Sequence, residues 1–442
     1  MQRTFTNDGG KSRYILIGNF DCDNYWRDES SMQLPYIDFR GIKPIIQSLD
    51  ELFIFLGHKE DVVVLRQKPD SDFISYLKNI GVEIPRIYFI SLSKESLTTS
   101  KIILSDKILL SKLKNYVEEN ANKQINTYLC PYGITELEND LSRNVSAKLV
   151  SASETSKYFN DKLTLIDLRL KYALPSPEYV VCMGKTELMS KGLLFVKKYG
   201  CAVIKERYES GGAGIAIVHD TKQYINLIKS IPDSVDNTKP VIIEKWYPHY
   251  CSHNYQYIVS NDSITRYAYS TQIVDSKGRI VGSEFDFANE SLLKEINAHY
   301  TVSSPLVEEF LCKGYRGVVG FDSLMCLNNQ AFPIIDINCR VNLSSVFYEI
   351  TRKYFPCRYA LFFYIEYVLK EPIPFVTLLE QLGSYAFSPS KKEGVIILNY
   401  ASLNINVITG KGKVGRVFYA IIANNKSRAT EIYKKVSDRA LA

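Results

Sequence analysis

The stretch CAVIKERYESGGAGIAIV, residues 201–218, decides how this chain of 442 residues is read. Its apolar run Cys201 to Ile204 ends on Lys205, the glycine-rich piece Ser210-Gly211-Gly212-Ala213-Gly214 follows, and Ile215 to Val218 is apolar again. Two short runs of this kind around glycines predict strand, loop, strand. Glycines let backbone amides approach a polyphosphate closely, and a lysine ahead of them adds a point charge for its oxygens. The pattern GxxxxGK[ST] is absent and no helical pattern follows the glycines directly, so this is not a Walker loop. On these residues alone a flexible hairpin tip is an equally good reading.

On the N-terminal side, Phe159, Leu163, Ile166, Leu170 and Ala173 recur at helical spacing and predict a helix over about 156–172, closed by Leu174-Pro175-Ser176-Pro177. A second helix, about 185–198, leads into the 201–204 run. On the C-terminal side a helix near 221–230 precedes a strand, Val241-Ile242-Ile243-Glu244. Further on, Val318 to Cys326 and Ala331 to Ile337 read as strands joined by Leu327-Asn328-Asn329-Gln330, where Asn329 suits a hairpin. Alternation puts Asp336 and Asn338 on one face of their strand, and a hairpin partner brings Asp322 alongside. Carboxylates converging like this are costly without a counter-charge, and hard oxygen ligands suit Mg²⁺ on phosphates. Arg340 continues the same face and can meet a transferred phosphoryl group. The alternative is structural: Asp322 caps a turn and Asp336 pairs with Arg340.

Together these stretches resemble the ATP-grasp ligases. The matching residues are Asn160-Asp161-Lys162, Cys201 to Lys205 with the Gly211 to Gly214 flap, Val241-Ile242-Ile243-Glu244-Lys245-Trp246, Gly320-Phe321-Asp322, and Ile334-Ile335-Asp336-Ile337-Asn338-Cys339-Arg340. The resemblance implies that Lys162 and Lys205 contact the nucleotide phosphates and that Gly211, Gly212 and Gly214 form the flap. It gives Glu244, Lys245 and Trp246 to the adenine-recognising hinge. Asp322, Asp336 and Asn338 become ligands of Mg²⁺, with Mn²⁺ as a substitute, and Arg340 and Lys205 the catalytic cations. Asp336 stands where a glutamate is more usual, and Ser252, His253 and Asn254 occupy the stretch where a ribose-binding acid is often found.

The whole layout is similar to the group of the pheganomycin peptide ligase and the butirosin glutamate/acyl-carrier-protein ligase. In that group a pre-ATP-grasp domain comes first and a short C-terminal module last. The expected fold is therefore α/β: a pre-ATP-grasp parallel α/β domain over 1–155, an ATP-grasp core of two α+β subdomains over 156–375, and a small β-rich module over 390–442. The N-terminal third agrees, because the runs at 14–17, 62–65 and 87–90 alternate with amphipathic stretches at 45–56 and 73–80, as in a parallel sheet. Gly18-Asn19-Phe20-Asp21, after the first strand, is a minor candidate for a ligand loop. In the C-terminal part a helix is expected over 359–369, then strands at 395–399, 403–409 and 416–423 and a helix over 427–440.

Competing chemistries fall away. Gly410-Lys411-Gly412-Lys413-Val414-Gly415 satisfies GxGxxG but leads into a strand pattern, not the helix a dinucleotide site requires. Ser252 and His253 cannot form a nucleophile pair, since adjacent side chains on a strand face opposite ways. Five histidines without HExxH argue against a zinc hydrolase, and nine scattered cysteines read as core residues in a reducing compartment. The 54 basic against 48 acidic residues are spread along the chain, which gives no nucleic-acid surface. With no signal-like start and no apolar run long enough for a bilayer, a cytoplasmic protein without a membrane partner is expected.

The function this implies is an ATP-dependent carboxylate-amine ligase that makes an acyl phosphate from an amino-acid or peptide carboxylate, releases ADP, and forms an amide. Residues 266–284, with Gln272, fall on the acceptor side by order along the chain. A ligase that loads an acyl-carrier-protein thiol is the first alternative, and a non-catalytic ATP-binding regulator is the second. A homodimer is compatible with the sequence.

Overall fold

The computed structural model describes residues 12–30, 32, 34, 42–90, 97–210, 213–232, 238–261, 263–274, 280–328, 330–410 and 412–440. The N-terminal domain is built on the parallel strands β1 (Ser12–Ile17), β2 (Val62–Leu65), β3 (Arg86–Phe89) and β4 (Asn126–Pro131), in the order β3-β2-β1-β4. β1 and β2 are buried along almost their whole length, which is why they read as continuous apolar runs and not as alternating ones.

A four-stranded antiparallel sheet carries the glycine-rich hairpin. Its strands are β5 (Tyr179–Met183), β6 (Ala202–Ser210), β7 (Ala213–Val218) and β8 (Pro240–Lys245), in the order β5-β8-β6-β7. The largest sheet has eight antiparallel strands: β9 (His249–Val259), β10 (Ile264–Val274), β11 (Ile280–Asp286), β12 (Gly317–Cys326), β13 (Ala331–Asn338), β14 (Tyr359–Val368), β15 (Gly394–Ile397) and β16 (Val414–Ala423). Their order is β13-β12-β9-β10-β11-β14-β16-β15.

Three expectations are corrected. The helix over 156–172 is two helices, Ser153–Asn160 and Lys162–Lys171. Asp161 stands between them in extended conformation and accepts a bond from the Leu163 amide, so a good N-cap interrupts an otherwise periodic segment. Residues 359–369 form strand β14 and not a helix, because they lie between β11 and β16 and are apolar on both faces, which erases the period of two. Residues 403–408 fall in the helix Ala401–Ile408 and Thr409 is its C-cap, where a strand over 403–409 was expected. There Glu51 Oε2 of the N-terminal domain accepts from the Tyr400 and Ala401 amides (2.6 and 2.8 Å) at the helix start, a contact that sequence periodicity does not encode.

The same contact shows how the ends of the chain meet. Leu52, Phe53 and Phe55 of the N-terminal domain share one apolar core with Phe362, Ile396, Phe418 and Ile421. A second core, under the helix Glu290–Cys312, contains the ring stack of Phe159 on Phe310, with centroids 3.8 Å apart. Among the described residues no helix is long and apolar enough to cross a membrane.

Candidate active site

The acids meet because of strand register. Asp322 lies opposite Asp336 on β13 and opposite Asn254 on β9, so the three side chains share one face of the large sheet. A register shift follows Asp322 on the β12–β13 side, where a bulge can re-aim side chains. Asp322 Oδ1 accepts from Asn254 Nδ2 (2.7 Å) and Gln272 Nε2 (2.9 Å), and its Oδ2 accepts from Asn338 Nδ2 (3.3 Å). Lys162 Nζ donates to Asp336 Oδ1 at 2.9 Å. Asp322, Asp336, Asn338 and Lys162 are thus gathered in one place.

The neighbouring row depends on a missing side chain. A Cβ on Gly320 would come within 2.4 Å of Asn342 Nδ2. With glycine there, Asn342 Oδ1 accepts from Gln256 Nε2 (2.9 Å) and caps the helix Leu343–Tyr354 through the Ser345 amide (2.9 Å).

On the smaller sheet, Lys205 Nζ sits 2.5 Å from Glu244 Oε2, and Arg169 Nη1 donates to Glu244 Oε1 at 2.8 Å. Burial alone would raise the Glu244 carboxyl, but the Lys205 and Arg169 charges outweigh it and hold it down at about 2. Arg169 also donates through Nε to the Ile334 carbonyl (3.0 Å), which ties this cluster to β13, the strand of Asp336. Arg169 Nη2 is buried with no partner among the described residues. The sequence reading missed Arg169; its signal was a cation two helical turns beyond Lys162 on the same helix.

Gly214 has φ +87°, and a Cβ there would lie 2.9 Å from the Glu206 carboxylate. Arg27 holds that carboxylate through Nε (2.5 Å) and Nη2 (3.0 Å), and the Leu34 amide donates to it at 2.6 Å. Gly211 and Gly212 lie outside the described residues, as does Asn329 of the expected hairpin turn. Lys245 turns away from the cluster: its Nζ is 3.5 Å from Glu178 Oε1 and lies over the rings of Tyr247 (4.4 Å) and Tyr199 (5.2 Å). The Trp246 amide donates to the Cys201 carbonyl (3.1 Å), and its indole packs against His249 at 5.2 Å.

Arg340 pairs with Asp23 and not with Asp336. Its Nε and Nη2 both lie 2.9 Å from Asp23 Oδ2, and its Nη1 donates to the Tyr132 hydroxyl at 3.2 Å. Asp23 was also missed; the loop singled out after β1 stops short of it. In that loop Asn19 bonds the Gly133 carbonyl and Glu138, and Asp21 bonds Gln47 and the Thr99 amide. These contacts brace the N-terminal domain internally. Ser252 bonds Gln272 and the Ser323 carbonyl, while His253 bonds Glu295, so the two neighbours do face opposite sides of the sheet. The glycines at 410 and 412, with φ +69° and +157°, link the helix Ala401–Ile408 to strand β16, so a strand and not a helix follows the GxGxxG pattern.

A flap-bearing sheet set against a larger antiparallel sheet, with cations on one and paired acids on the other, defines an ATP-grasp architecture. Residues 197–338 match the family described as "L-aspartate--L-methionine ligase, ATP grasp", and residues 49–146 match the pre-ATP-grasp domain. The two matches put an ATP-grasp region behind a pre-ATP-grasp domain, the arrangement of an ATP-dependent ligase. The [butirosin acyl-carrier protein]--L-glutamate ligase of Niallia circulans is 22% identical over 334 residues, which covers 74% of this chain and 71% of that protein. Among solved structures, biotin carboxylase from Campylobacter jejuni in complex with a β,γ-ATP ligand is similar at a TM-score of 0.55 and 13% identity, over 97% of this chain and 91% of that one. N5-carboxyaminoimidazole synthase from Aspergillus clavatus, in complex with ADP and its ribonucleotide, gives 0.52 and 12% over 97% and 98%. These two show the fold.

Proposed function

We propose that this ligase joins an amino-acid or peptide carboxylate to an amine through an acyl phosphate. The observation that carries the reading is that Lys162 joins Asp336 on the large sheet while Lys205 joins Glu244 on the small one, with Arg169 spanning the two. Cations and acids held in pairs around a cleft are ready to be redistributed over a polyphosphate and its metal ion. In this reading Lys162 and Lys205 take the phosphates, Gly211, Gly212 and Gly214 cover them, and the backbone at Lys245 and Trp246 with Glu244 faces the adenine.

Two carboxylates and an amide oxygen form a hard donor set that fits Mg²⁺ or Mn²⁺, provided Asn338 presents its oxygen. Asp322, Asp336 and Asn338 would hold the ion, which would supply charge neutralisation on the phosphates. A substrate carboxylate oxygen attacks the γ-phosphorus, ADP departs, and the phosphoryl charge is met by Arg340 and Lys205. The amine nitrogen then attacks the acyl carbon, loses a proton, and expels inorganic phosphate. The closed flap keeps water off the acyl phosphate. No side chain is assigned as general base; an amine desolvated in the site would give up its proton more readily.

One observation favours a second acceptor: the curated relative acts on an acyl-carrier protein. A carrier thiol attacking the same acyl phosphate would give a thioester. The reading takes the reaction to be cytoplasmic. The test is ADP and phosphate release over a panel of amino acids. Release that needs acid and amine together supports amide formation, release that needs a phosphopantetheine thiol supports carrier loading, and AMP with pyrophosphate contradicts both.

A further inference from the structure

The helix Asp23–Ser30 belongs by sequence to the N-terminal domain, yet its side chains bond Arg340, just past the large-sheet strand β13, and Glu206 on the small sheet. Asp23 holds Arg340 at the end of β13, and Arg27, one turn further on, holds Glu206 on the flap strand β6. Between them Trp26 is buried, bonds Glu136 of the N-terminal domain (3.3 Å) and packs near Tyr208 of β6 (6.0 Å). Just beyond the helix, Met32 and Leu34 sit in the apolar core of the small sheet, beside Cys182 and Leu188.

We propose that Asp23 is a positioning residue for Arg340, so that the N-terminal domain sets the orientation of the guanidinium that meets the phosphoryl group. Both nitrogens of one guanidinium edge converge on a single oxygen of Asp23, and the Tyr132 hydroxyl and ring take the Nη1 side, with the guanidinium 5.1 Å from the ring centroid. Held on these sides inside the protein, the guanidinium has its plane fixed before substrate arrives. Its attachment to a helix that also fastens Glu206, against which Gly214 packs, places the flap base and the arginine on one rigid element.

This inference rests on the role given to Arg340 above, and the experiment separates the two. The full chain is assayed for ADP release with ATP, Mg²⁺ and whichever of the twenty amino acids gives the largest response, as wild type, Asp23→Glu, Asp23→Asn and Arg340→Lys. Asp23→Glu keeps the buried charge but moves it by one methylene. It should keep its melting temperature and KM for ATP near wild type while kcat falls on the order of 10- to 100-fold. Asp23→Asn leaves the Arg340 charge unpaired and should lose both rate and stability. A wild-type kcat in Asp23→Glu would overturn the proposal by reducing Asp23 to a structural counter-charge. A faster Asp23→Asn would also overturn it, by showing that Asp23 obstructs the site. An active Arg340→Lys would instead remove the role of Arg340, and the proposal with it.

Discussion

Lys162 and Asp336, 174 residues apart in the chain, are joined by a 2.9 Å contact between Nζ and Oδ1. Both side chains are largely buried, with 7% and 20% of their surfaces exposed, so the contact offsets two charges withdrawn from water. In the proposed reaction, nucleotide binding parts them, sending the lysine to phosphate and the carboxylate to the metal ion. Asp336→Ala should therefore abolish ADP formation, a loss of at least about 100-fold, while the protein still melts cooperatively. Near-normal turnover in a steady-state assay would take Asp336 out of the mechanism.

In the proposed reaction Lys205→Ala removes a phosphate contact, while Arg169 is left to neutralise Glu244. The KM for ATP should rise strongly, by roughly 10- to 100-fold for the loss of a charge-assisted contact. An unchanged KM would place the lysine elsewhere than on the nucleotide.

Gly320→Ala tests the row beneath the acids. The new methyl would collide with Asn342 Nδ2, displacing the residue that caps the helix Leu343–Tyr354 and bonds Gln256. A destabilisation of about 1–3 kcal/mol is expected in urea unfolding. No change in the unfolding midpoint would mean that Asn342 makes no contribution from this position.

Burial raises the Glu51 carboxyl to about 7, and the amides of Tyr400 and Ala401 only partly offset this. A folded-state pKa above the ordinary 4.5 means that the neutral form is favoured: the contribution is fully present below about pH 4.5 and is lost as pH rises through about 7. Glu51→Gln keeps an acceptor for both amides and cannot ionise. Its melting temperature, read by thermal scans, should fall less than that of wild type as the pH is raised from about one unit below the transition to about two units above it. Parallel curves would show that Glu51 does not titrate in this range.

Much of the site was legible because its residues sit in short stretches whose pattern is local. The 201–218 hairpin and the 318–338 pair announce themselves through apolar runs around glycine or polar turns, and register then fixes which acids face each other. Asp23 and Arg169 were not legible. Each acts through a partner far away in sequence, Arg340 and Glu244, and nothing in its own neighbourhood marks it as more than a helical charge. The reading of 359–369 as a helix failed for a related reason, since a central strand covered on both faces loses its alternation. The start of the helix Ala401–Ile408 depends on Glu51, 350 residues from Ala401.

The most direct test of the account is a crystal structure with Mg²⁺ and a non-hydrolysable ATP analogue. The account predicts the triphosphate between Lys205 and the Asp322–Asp336 pair, with Lys162 released from Asp336 onto a phosphate oxygen. A triphosphate bound away from those carboxylates, with the Lys162–Asp336 contact intact, would contradict it.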